Sequence, residues 1–186
     1  LYYDGHGRLW IATSNGVCNM NTSTLSFNDL GWTKILPDIL SNAICADRHG
    51  NIVIGTDNGL YIYNVKTLKT GLLPGSDMLR DKQVSAMTTD RQGNIWISTT
   101  MGIWQYNAAR KQFYSYINGN GLTSHEYMLG SMMRDADDRI AFGTADGITT
   151  FYPEVVNGRK EKLGEVYLTG FMVNGKSRSC MGEHFT

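Results

Sequence analysis

Apolar residues along this chain come in short runs, and turn-forming residues separate them at close intervals. Ala43-Ile44-Cys45-Ala46, Leu60-Tyr61-Ile62-Tyr63 and Ile95-Trp96-Ile97-Ser98-Thr99 are representative, each bounded by Asp, Asn or Gly. No stretch sustains the i, i+3, i+4 spacing of an amphipathic helix. The runs are rich in β-branched and aromatic residues, which suit a pleated surface. Several are apolar at successive positions rather than at alternate ones, the pattern of a strand covered on both faces. The prediction is an all-β chain of many short strands.

The runs are also periodic. DGHGRLWIATSNGV from Asp4, DRHGNIVIGTDNGL from Asp47 and DRQGNIWISTTMGI from Asp90 align without gaps, and DADDRIAFGTADGI from Asp135 follows the same template. The spacing is about 43 residues, the length of a propeller blade. Thr13, Thr56, Thr99 and Thr144 share one repeat position, and Gly16, Gly59, Gly102 and Gly147 share another. In the D-x-x-G turn the carboxylate can cap nearby amides, while Gly7, Gly50 and Gly93 can take positive φ. Asn15-Gly16, Asn58-Gly59 and Asp146-Gly147 read as two-residue hairpin turns. A third strand follows each, and a weaker fourth is expected near Phe27, Leu72 and Phe113.

Four antiparallel strands in about 43 residues make one blade of a β-propeller. Residues 1–153 are therefore read as about four blades, part of a larger ring. Ala12, Gly55, Ser98 and Gly143 fall at one repeat position, where small side chains allow sheets to approach closely. Trp10 and Trp96 share another, and packing between blades is the expected role for them and for Trp104. Residues 154–186 form a polar link and then a strand and hairpin turn, read as the opening of a second β domain. The chain begins at Leu1 without a methionine and stops at Thr186 soon after a strand-like run, so both ends are expected to be cuts through a longer polypeptide.

Composition narrows the function classes. Seventeen basic and 17 acidic side chains give no net charge, which removes the electrostatic case for nucleic acid or an anionic membrane surface. No apolar run reaches the length of a membrane helix, so any membrane link is expected through segments outside this chain. Three cysteines do not make a disulfide scaffold. Cys18 and Cys45 fall on strands that should not be neighbours, and both are expected as free, buried thiols.

The phrase D-x-x-G-N-I-W-I-G-T-x-x-G-L-x-x-Y resembles the two-component regulator propeller repeat. Asp90 to Tyr106 and Asp47 to Tyr63 carry it most closely, with Ser98 for glycine in one and Val53 for tryptophan in the other. The segment from Asn118 to Tyr127, with Phe142-Gly143-Thr144 and Phe151-Tyr152-Pro153, resembles the last blade of such propellers. The run from Val166 to Gly175 resembles the start of the triple-tyrosine β-sandwich that follows them. The fourth repeat departs from the phrase, with Asp138 for glycine and Ala141 for tryptophan. The resemblance implies the periplasmic sensor region of a hybrid two-component histidine kinase, one that responds to oligosaccharides and relays to the kinase. This chain, lacking kinase regions, would not be an enzyme itself.

Candidate binding residues lie where propeller ligands usually meet the ring, on the loops at one end. These loops carry Trp32, Arg80, Asp81, His125, Glu126 and Tyr127, and the hairpin with Asn58 should emerge beside them. Aromatic faces for sugar C–H groups and fixed polar partners for hydroxyls are what an oligosaccharide site needs. No catalytic residues, cofactor or metal are expected. His6 and His49 share an exposed turn position, no H-E-x-x-H or paired C-x-x-C spacing occurs, and Asp135 to Arg139 lacks the central glycine and distal glutamate of a calcium loop. Two other readings stand beside the sensor: a structural or dimerisation scaffold, and a propeller lyase-type enzyme, for which no convergent acid–base cluster is visible. A partial ring leaves blade faces uncovered, so self-association is expected.

Overall fold

The computed structural model describes residues 1–30, 40–116, 126–158, 170–173 and 176–179. The chain divides into two compact units, Leu1–Val156 and Asn157–Thr186. The first unit is a run of β-propeller blades. Strands β1(Tyr2–Tyr3), β2(Arg8–Thr13), β3(Gly16–Asn21) and β4(Phe27–Asp29) form the first blade in that order. The second is β5(Ser41–Ala46), β6(Ile52–Thr56), β7(Gly59–Asn64) and β8(Lys69–Leu72). The third is β9(Val84–Thr89), β10(Ile95–Thr99), β11(Gly102–Asn107) and β12(Gln112–Tyr116). The fourth has three described strands, β13(Tyr127–Arg134), β14(Ile140–Thr144) and β15(Gly147–Phe151), and the short helix α1(Pro153–Gly158) follows it. In the second unit β16(Gly170–Val173) pairs antiparallel with β17(Lys176–Ser179). The weak fourth strands fall where expected, at Phe27, Leu72 and Phe113.

Each repeated polar residue has a job in the backbone. Asp90 Oδ1 accepts the amides of Gln92 and Asn94 (2.9 and 2.8 Å), and Oδ2 accepts the Asn94 amide group and the Trp96 indole (2.9 Å each). Asp4, Asp47 and Asp135 cap the same two amides in their own turns. Gly7, Gly50 and Gly93 take positive φ as expected, and Asp138 takes φ 67° in the fourth turn. That angle is tolerable for an aspartate. The recurrent threonine closes the opposite turn. Thr56 Oγ1 donates to the Gly59 carbonyl (2.9 Å) and accepts the Asn58 amide (3.0 Å). Thr13, Thr99 and Thr144 repeat both bonds.

This corrects the hairpin reading by one residue. Gly16, Gly59 and Gly147 are not turn residues but the first residues of β3, β7 and β15, paired with Thr13, Thr56 and Thr144. The two-residue loops are Ser14-Asn15, Asp57-Asn58 and Ala145-Asp146. The threonine hydroxyl ties its own strand end to the glycine carbonyl, so the glycine lies inside the ladder.

The core lies between blades. Trp10 and Trp96 are buried to within 1%. Trp10 meets Tyr63 of the second blade at 5.7 Å between ring centroids, and Trp96 meets Phe151 of the fourth at 4.6 Å. The packing reading of both holds. Gly55 sits against the next blade's inner strand, where an added Cβ would come within 2.4 Å of Val84 Cγ1. That repeat position must be small there because the sheets touch. Cys18 and Cys45 are both free. Cys45 is buried, whereas Cys18 is only half-buried, since β3 lies further out in its blade.

Candidate functional site

In a blade of this order the D-x-x-G turn and the Thr-x-x-Gly hairpin lie at opposite ends of the strands. The hairpins thus share an end with the connections between blades, and these connections carry most of the candidate residues. One such connection is fully described. After β8 the chain passes through Leu73–Ser76, where Ser76 Oγ donates to the Leu73 carbonyl (2.7 Å), into a 3₁₀ turn at Asp77–Leu79. Leu79 is fully buried and anchors the loop in the core between the second and third blades.

That anchor brings two predicted residues together. A Cβ on Gly59 would lie 3.3 Å from the Leu79 carbonyl and 3.4 Å from Arg80 Cα. The hairpin carrying exposed Asn58 therefore abuts the segment carrying Arg80 and Asp81, both exposed. The Arg80 guanidinium pairs with Asp77 at 3.1 Å, with both side chains more than half exposed, so it costs little to redirect toward a ligand. Lys82 Nζ donates to the Met78 carbonyl (2.9 Å) and stands 5.8 Å from the centre of the Trp104 ring. Trp104 itself is 8% exposed and packs in the core, as expected. What the loop offers is a rim of hydrogen-bond donors and acceptors with little free aromatic face.

The other candidates separate. Tyr127 is not a loop residue: it opens β13, is 4% exposed, and lies edge-on to Phe142 with its hydroxyl 3.2 Å from Thr149 Oγ1. Burial pushes its phenol above the ordinary range. Tyr127 instead packs into the core cluster of the third and fourth blades with Ala86, Trp96, Ile140 and Phe142. Glu126, directly before the strand, is exposed. Trp32 and His125 lie outside the described residues.

At the turn end, His6 and His49 are exposed as expected. The Asp135 turn is an ordinary turn, held by the Asp137 and Arg139 amides and by an Arg139 Nε contact of 3.0 Å. No group of three or more His, Cys, Asp or Glu side chains suited to a metal ion occurs among the described residues. Sequence reading missed the role of the repeated arginine after the aspartate. Arg48 and Arg91 reach the following blade, a signal present in the aligned D-R pairs.

The comparisons with known proteins fit this geometry. Residues 78–101, from the anchored loop through β10 to its hairpin, match the family model described as the two component regulator propeller. No curated protein matches the chain. Among solved structures it is similar to the extracellular domain described as that of the hybrid two component system BT3049 from B. thetaiotaomicron (24% identity, TM-score 0.65, covering 86% of this chain and 22% of that one). It is also similar to the corresponding domain of BT4673 from the same organism (20% identity, TM-score 0.61, covering 77% and 20%). Virginiamycin B lyase from Staphylococcus aureus shares the fold at lower similarity (15% identity, TM-score 0.54, covering 78% and 52%). At these identities the likeness is one of fold. The chain spans about a fifth of the length of the two extracellular domains. No helix among the described residues is long and apolar enough to cross a membrane.

Proposed function

We propose that this chain is part of the ligand-sensing, periplasmic propeller of a two-component signalling receptor, one that responds to oligosaccharides and relays to a histidine kinase. The observation that carries the reading is the repeat itself. The segment that matches the family model, residues 78–101, includes the loop that brings Arg80 and Asp81 beside the Asn58 hairpin. The fold shared with two extracellular domains of two component systems supports it, and the loop rim supplies the polar partners that sugar hydroxyls require. The residues proposed for contact are Asn58, Arg80, Asp81 and Glu126. Trp32 and His125 stay with them on sequence grounds. Residues 154–186 would then open the sandwich domain through which a ligand-dependent change passes toward the membrane. A thermal-shift screen against plant and host oligosaccharides tests the reading. A ligand at 100 times its dissociation constant adds about 2.7 kcal/mol. The expected result is a selective hit that Arg80→Ala and Asn58→Ala both weaken. A panel that leaves the melting temperature unmoved counts against a sugar site on these blades.

A further inference from the structure

The D-x-x-G turns tie each blade to the next, and the tie fails at one interface. Arg48, directly after Asp47, lays its stem on Gly93 of the third blade, where an added Cβ would come within 2.9 Å of Arg48 Cβ. Arg91, directly after Asp90, donates its amide to the Asp138 carboxylate (3.2 Å) and its guanidinium to the Ala136 carbonyl of the fourth blade. Gly5 occupies the same place after Asp4 and has no side chain to reach across. Gly50, the counterpart of Gly93, accordingly has nothing within 4 Å of where its Cβ would stand.

A cleft of about 430 Å³ opens there between the first and second blades. That is the size of a small-ligand site. Tyr2, Trp10, Ile52 and Val65 supply its apolar walls. Asp4, His6, Arg8 and His49 supply its polar ones. The Arg8 guanidinium takes part in none of the ion pairs among the described residues. It is a free cation on the wall of a concave site, which favours a carboxylate in bidentate contact. Asp4 spends Oδ1 on the His6 and Arg8 amides and is an acceptor suited to hydroxyl donors. His49 Nε2 accepts from Arg48 Nε at 3.1 Å, which leaves its Nδ1–H to donate. The half-buried Tyr2 offers an aromatic wall.

We infer that this cleft binds a small hydroxylated carboxylate of the sugar-acid class, its carboxylate on Arg8 and its hydroxyls on Asp4 and the two imidazoles. The site lies at the opposite end of the blades from Asn58 and Arg80, so it does not depend on the oligosaccharide reading. Calorimetric titration of the protein with glucuronate, and with glucose in parallel, tests it. Glucuronate should bind, with glucose at least tenfold weaker. Arg8→Gln should bring glucuronate down at least tenfold with the melting temperature unchanged, because Arg8 is exposed and its side chain makes no ion pair among the described residues. Val65→Trp, which fills the cleft, should abolish binding. Should that variant fold poorly, Arg8→Gln decides alone. Absence of glucuronate binding to the unaltered protein would overturn the proposal. So would equal affinity in Arg8→Gln, or binding lost in Arg80→Ala and kept in Arg8→Gln.

Discussion

The middle blades and the outer two are written in one repeated phrase, yet they are buried differently. β6 and β10 are buried at all five positions, whereas β14 is buried at only two of five and β2 at one of six. The described residues give the second and third blades a neighbour on each side, and the first and fourth blades a neighbour on one. Burial in this fold is therefore a property of the stack rather than of the strand. Each blade is a thin sheet that cannot cover its own faces. The same apolar run is core when sandwiched, and an exposed patch when it is not. β13 shows the second case, with Met128, Leu129, Met132 and Met133 all exposed.

The sharpest way to break that contrast is to remove a buried side chain that reaches the neighbouring blade. Trp96 is 1% exposed, stacks on Tyr116 of its own blade, packs at a tilt against Phe151 of the next, and donates its indole to Asp90. Trp96→Ala should cost about 3–5 kcal/mol. That corresponds to a melting temperature lower by roughly 10 °C. Met133→Ala, on an exposed position of the adjoining blade, should stay within about 0.5 kcal/mol. Paired denaturant titrations measure both. Equal midpoints for the two variants would mean that the blades do not stabilise one another.

A second test uses the uncovered face itself. Contiguous exposed apolar surface of this kind favours association. The protein should therefore exceed monomer mass in light scattering at micromolar concentration. Met128→Lys combined with Met133→Lys should return it toward the monomer while leaving the melting temperature nearly unchanged. A monomeric unaltered protein would show that the face is tolerated in water.

How much of this was legible in sequence follows the same division. The four blades, the capping aspartates and the packed Trp10 and Trp96 were readable because each recurs at a fixed offset, so a local pattern repeats a local structure. The hairpins were misplaced by one residue because Asn-Gly is the usual turn pair. Here the Thr13, Thr56 and Thr144 hydroxyls bind the following glycine carbonyls and draw the glycines into the strand. Tyr127 was misread because a polar approach, Ser124-His125-Glu126, hides the start of a strand whose first side chain turns inward. The open cleft beside Gly5 could not be seen from any one repeat. It appears only when the arginines at the same position are known to reach the following blade.

The smallest expected effect sharpens the comparison at the capping turns. Burial raises the Asp4 carboxyl, but the His6 and Arg8 amides and the His6 charge together hold it below its ordinary value. A carboxyl whose folded pKa is depressed stabilises the fold above its unfolded pKa of about 4, and that contribution is lost as pH falls through the folded value. Asp4 is well solvated, so the contribution is screened to about 0.5 kcal/mol. Asp4→Asn mimics the protonated side chain. At pH 7 the unaltered protein should melt slightly above Asp4→Asn, and the two curves should converge as pH drops below about 4. A gap that persists at pH 2.5 would mean that Asp4 acts through shape alone, with its charge contributing nothing to the turn.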